Sequence, residues 1–171
     1  VALHAEFTPF TINTAFSCNS DGNLYEGRGL SQRGYFVVTA QENAHLDDFL
    51  NGPVRSLHNL IELAADAVLP LTALEVTRES LDSSGPRIDF LIQPPRYRAR
   101  GPRKHPAELL FTLASLSGRF EECAQQWHAG RERYGPTFDL FFSLGRSEMF
   151  MEHQFLSLIQ AVEAYHRRAY P

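Results

Sequence analysis

Cysteine pairs, long apolar runs and an overall basic excess are all missing from this sequence. Its two cysteines, Cys18 and Cys123, stand far apart and outside any C-x-x-C spacing. Nothing favours a disulfide, and free thiols in a reducing compartment are expected. The seven histidines are scattered. With no H-E-x-x-H and no Cys/His cluster, the pattern predicts neither a metal site nor a cofactor. No G-x-S-x-G elbow and no G-x-x-x-x-G-K-[ST] loop occurs; Gly27 and Gly29 form only an isolated G-x-G, which leaves phosphate cradling unsupported. The longest apolar stretch, Leu57 to Leu74, is interrupted by His58, Asn59, Glu62, Asp66 and Pro70, and charges there would be costly in a bilayer. A soluble, cytoplasmic chain without membrane contact is expected. The formal net charge of -4 provides no bulk positive field for nucleic acid, so any such contact must come from a local patch.

What is present is a globular composition, 43% hydrophobic and 21% charged over 171 residues, enough for one ordinary domain or two small ones. Glu6–Cys18 alternates Phe and Thr and predicts strands, with Pro9 marking an edge or a bulge. Ser20–Asn23 reads as a turn and the Gly-rich Glu26–Gly34 as a loop. Tyr35–Thr39, YFVVT, reads as a buried strand. Helical spacing follows. Leu46, Phe49 and Leu50 mark a short helix broken at Gly52-Pro53, with Pro53 suited to the first turn of the next. Val54, Leu57, His58, Ile61 and Ala65 share a face of that second helix, where His58 reads as a hydrogen-bonded core residue. Strands are expected at Ala73–Thr77 and Ile88–Ile92. Ala107–Leu116 is ambiguous between strand and helix. A helix capped by Ser117 should then run from about Arg119 to Tyr134 and stop at Gly135-Pro136. Phe138–Leu144 is a short aromatic segment of undetermined type, and a long amphipathic helix begins at Glu148. The fold class is therefore α+β: a mixed β/α part at 1–93, a basic Pro-rich linker at 94–106, and a mostly helical part at 107–171.

The linker is the one electrostatic patch. Arg96, Arg98, Arg100, Arg103 and Lys104 surround Tyr97; the cations suit phosphates and the ring suits a base, so RNA is the partner this loop would take. The last helix carries Met151, Phe155, Leu158, Ile159, Val162, Tyr165 and Ala169 on one face. This stripe must be covered, either by the helix around Trp127 or by another copy of the chain, which makes a homodimer through the C-terminal helix the second expected partnership. Glu163 and His166, at i,i+3, sit on the margin of the stripe and are cleft-edge candidates; Glu163 also stands four residues before Arg167, the favoured order for an ion pair.

Three marks in the second half carry a resemblance: Trp127 after a helical run, the aromatic FDLFFS, and F-L-x-L-x-Q-A-x-E-A-x-H-R-R from Phe155 to Arg168. They resemble the region where ApeA-type proteins pass into their HEPN domain. FLNGPVRSLHNLIELAADAVLPLTALEV is similar to the late part of the ApeA N-terminal domain, so the likeness covers roughly Leu46 to Arg168. It implies a bacterial antiphage defence protein acting by abortive infection. In that family a sensor domain precedes a dimeric, metal-independent HEPN ribonuclease whose catalytic motif is Arg, four to six residues, then His. There the Arg stabilises charge on phosphate and the His moves the proton of the ribose 2′-hydroxyl. Arg98–His105, Arg100–His105 and Arg146–His153 match that spacing. Fifteen arginines and seven histidines produce such spacings by chance. The first two pairs span Gly101-Pro102 and cannot stack on a helix, and the third precedes the family helix. The resemblance thus implies a fragment: sensor region and first HEPN helices, with no secure catalytic residue, inactive by itself. A start at Val1 and an end inside a helical pattern fit a piece of a longer protein. The alternative is a non-catalytic module that binds protein or nucleic acid.

Overall fold

The computed structural model describes residues 4–7, 10–21, 29–40, 44–71, 74, 105–146 and 149–170. The Phe/Thr-rich start forms an antiparallel sheet in the order β1-β2-β3, from β1 (His4–Phe7), β2 (Phe10–Asp21) and β3 (Gly29–Ala40). Ala5 pairs with Ile12, and Ile12 with Val38. Strand alternation turns Ala5, Ile12, Phe36 and Val38 toward the core and leaves Tyr35 and Val37 exposed. Two expectations are corrected here. Gly29–Gly34 is not loop but the first half of β3, paired residue by residue with β2 from Asp21 back to Phe16; a long partner strand overrides local polar composition. YFVVT is not buried on both faces, because an antiparallel sheet needs to cover only one. The strands expected at Ala73–Thr77 and Ile88–Ile92 lie outside the described residues, Leu74 apart.

Helices follow, as the spacing predicts. α1 (Leu46–Phe49) leads into a π-turn, Leu50–Val54, that kinks at Gly52 (φ −84°, ψ −105°) before the buried Pro53. α2 (Arg55–Ala65) buries Leu57 and Leu60, and with them Ser56, Asn59 and Glu62. It ends at Asp66 in the left-handed region (φ 46°), where the N–H groups of Asp66 and Ala67 donate to the carbonyls of Leu63 and Glu62, a Schellman closure. The ambiguous segment 107–116 is neither strand nor one helix. A 3-10 turn at Pro106–Glu108 is followed by Leu110, whose N–H donates to Ala64 O at 2.9 Å, and then by α3 (Leu113–Leu116). Thr112 and Ser115 cap α3 reciprocally.

α4 (Phe120–Arg146) and α5 (Met151–Ala169) complete the described structure. Phe120 and Ala124 meet Leu57, Ala5 and Ile12 in one core, so the sheet and the helical segment share their interior. The expected stop at Gly135-Pro136 is a kink instead. Tyr134 takes φ −114°, ψ 24°, and the helix resumes through the aromatic FDLFFSL. Pro136 has no N–H to offer the carbonyl four residues back, but the break is braced from outside. Arg168 Nη1 donates to Arg133 O at 3.2 Å, and the Tyr165 ring lies 5.1 Å from that of Tyr134. α5 therefore runs back along the second half of α4 as a helical hairpin.

α5 does pack on the helix that contains Trp127, but by a different face from the one its sequence advertises. The inward seam is Gln154, Ser157, Ala161 and Ala164, at helical spacing, with Ala161 4% exposed. Small side chains let two helices approach closely. The large stripe of Phe155, Leu158, Ile159 and Val162 is exposed, Val162 to 67%, while the half-exposed Tyr165 lays its ring beside Tyr134.

Candidate functional site

The six linker residues Arg96, Tyr97, Arg98, Arg100, Arg103 and Lys104 lie outside the described residues. Glu163 and His166 are on the outer surface of α5. Glu163 accepts from Arg167 at 2.6 Å in the i,i+4 geometry read from the sequence, and the His166 ring lies 5.3 Å from Tyr170. Neither lines a described cavity. Arg146 and His153 are drawn to different tasks: the guanidinium of Arg146 turns onto α2, while His153 is exposed in the first turn of α5 beside Phe150.

The concentration of buried polar chemistry is elsewhere, between α2 and the kinked α4. Glu62, 4% exposed, is its centre. One carboxylate oxygen accepts from Arg146 Nη2 at 2.5 Å and the other from Leu69 N–H at 3.2 Å. The same Arg146 nitrogen donates to Asn59 Oδ1 at 2.9 Å. His58 stands beside them with Nε2 2.8 Å from Leu69 O, the hydrogen-bonded role expected of it. One turn further out, Asp139 accepts from Arg55 at 3.0 Å and faces Arg131 at 3.7 Å. Arg131 is held below the usual arginine range by burial and then by the neighbouring Arg55 and Arg146 charges, against which Asp139 acts. Burial likewise lowers His128 from the ordinary histidine value, with Glu132 opposing and Arg131 adding.

An aromatic cluster closes the same interface. Trp127 Nε1–H donates to Ser56 O at 2.9 Å, and its ring meets Phe138 (4.7 Å) and Phe142 (6.3 Å) from the far side of the kink. Two sequence marks that look separate, the lone tryptophan and the aromatic run, are thus one packing unit folded across Tyr134. The polar cluster was not singled out from the sequence. Its one legible signal is that Asn59 and Glu62 interrupt an otherwise apolar helix at i,i+3, since a buried acid must have a partner.

The arrangement binds helices to one another. An apolar cavity of about 310 Å³ lies between α2, Phe36 and Phe111–Leu116; Thr112, which also lines it, uses its hydroxyl in the α3 cap. Among the described residues no group of three His, Cys, Asp or Glu could hold a metal ion, and no helix is long and apolar enough to cross a membrane.

No curated protein and no solved structure matches this chain. A family model does. It is described as ApeA N-terminal domain 1 and matches residues 4–127, from the first residue of β1 through the sheet, α2 and the basic linker to the tryptophan of the interhelical cluster. The chain belongs to that family and is an ApeA-like protein of antiphage defence.

Proposed function

We propose that this chain supplies the sensing region of the defence protein together with the entry helices of a HEPN ribonuclease domain, and cuts no RNA by itself. The observation that carries the reading is the exposed stripe on α5. A helix that packs inward by alanine and serine while turning Phe155, Leu158, Ile159 and Val162 outward is built to receive further helices. The stripe lies within the F-L-x-L-x-Q-A-x-E-A-x-H-R-R segment that resembles the HEPN entry. When those further helices are absent, a second copy covers the stripe and the chain forms a homodimer through α5. RNA is the partner of the Arg96–Lys104 loop.

The test compares the chain with the whole protein encoded by its gene. Structured and unstructured RNA should survive incubation with the chain and be cleaved by the whole protein. His153→Ala, a change at an exposed position, should leave cleavage by the whole protein intact. Cleavage by the chain alone, or its loss in His153→Ala, would return Arg146 and His153 to the catalytic role and overturn the reading. In sedimentation, the chain should dimerise with rising concentration, and Val162→Glu should keep it monomeric.

A further inference from the structure

The break at Tyr134 divides α4 into halves held by different forces. The first half is fixed to the sheet by apolar burial at Phe120 and Ala124. The second half, with α5 folded back on it, is a helical hairpin tied to α2 by hydrogen bonds of charged groups: Arg55 to Asp139, and Arg146 to Glu62 and Asn59. Across the break Trp127 also meets Phe138 and Phe142.

The docked arrangement leaves buried polar groups poorly satisfied at the break itself. Arg131 Nη1 and Thr137 Oγ1 are both enclosed without a hydrogen-bond partner among the described residues, and each lies three residues from Tyr134. Arg131 also sits beside Arg55 and Arg146, with Asp139 as its counter-charge. Asp139 is the better partner of Arg55, at 3.0 Å against 3.7 Å. A buried polar group without a partner carries a desolvation cost, and an arrangement that hydrates it relieves that cost.

We infer that residues 135–169 form a latched hairpin that swings about Tyr134–Pro136. The Asp139 and Glu62 ion pairs hold the closed position, and the crowding of Arg131 pushes toward the open one. Opening hydrates Arg131 and Thr137 and moves the second half of α4, with α5 packed on it, away from α2. The device gives this fold a way to change where α5 presents its exposed stripe without unfolding its core, and it stands whether or not a HEPN domain follows.

Spin labels at Asp48 and Gln160, both exposed, report the hairpin's position in the full chain once Cys18 and Cys123 are serine. The unaltered background should give one dominant distance. Asp139→Asn should add a second population about tenfold more abundant than in the background, the change that follows loss of one charge-assisted hydrogen bond. The discriminating variant is Arg131→Met in that Asp139→Asn background. It should restore the single distance, because it removes the crowded charge; were Arg131 simply another tie, the double variant would be at least as open as Asp139→Asn. If Asp139→Asn fails to fold, 1 M salt on the unsubstituted hairpin replaces it, with Arg131→Met expected to suppress the salt-induced population. A distance unchanged by both substitution and salt, or a double variant at least as open as the single, overturns the latch.

Discussion

Replacing the buried carboxylate of Glu62 is the most direct probe of the interface that positions α4. Glu62→Leu removes one charge-assisted hydrogen bond, from Arg146, generally worth about 1.5–3 kcal/mol. It also leaves the Leu69 N–H without its acceptor, at a cost of about 1–3 kcal/mol where the group stays dry. Arg146 keeps Asn59 and some contact with solvent, so its charge is not fully stranded. The expected loss is about 3 kcal/mol, at the low end of the range of about 3–5 for breaking a buried pair. Arg146→Met alone strands Glu62, the more buried partner, and should cost at least as much. The double variant should lie within about 1 kcal/mol of the better single or above it, since an apolar pair of similar volume often replaces a buried ion pair without penalty. Urea unfolding followed by circular dichroism gives the four free energies of the cycle. Losses that simply add in the double variant would refute the claim that Glu62 and Arg146 act on each other.

Three further outcomes are expected. Because burial lowers the folded-state pKa of His128, the unfolded chain binds the proton more tightly; stability from this group is full above its ordinary value near 6.5 and falls as pH drops below it. Urea midpoints between pH 8 and pH 5 should show that decline, and His128→Phe should flatten it. Two α4 glycines should respond oppositely to alanine: Gly130 has open space and should gain up to about 1 kcal/mol, whereas a Cβ at Gly145 would lie 2.5 Å from Val68 Cγ2 and should lose about 1–3 kcal/mol, a loss relieved by adding Val68→Ala. Changing Arg96, Arg98 and Arg100 together to Glu should abolish RNA binding measured at two salt concentrations; binding that is unchanged, or that the parent lacks, removes the linker from the RNA interface.

Periodicity made α2 and α5 legible because each keeps one pattern over its length, and the Phe/Thr alternation did the same for β2. The misreadings share a cause: local chemistry was outvoted by a partner distant in sequence. Gly29–Gly34 has loop composition, yet β2 supplies a full ladder and makes it strand. Gly135-Pro136 has the chemistry of a helix stop, yet the helix continues. Trp127 and Phe138 clasp across the break, and Arg168, thirty-five residues away, donates to the Arg133 carbonyl beside it. No window around Pro136 contains that arginine.

The face of α5 is the sharpest of these cases. Hydrophobicity ranks Phe155, Leu158 and Ile159 as the packing side, and for a lone helix on a finished core that ranking holds. α5 instead lies against a helix braced at its kink by Tyr165 and Arg168, contacts that require close approach. A seam of Ser157, Ala161 and Ala164 permits that approach, and phenylalanine or isoleucine in the same seam would hold the helices apart. Geometry at the kink therefore selects the small-residue face inward. The large apolar face is turned outward as a consequence, and that consequence is what the proposed assembly through α5 rests on.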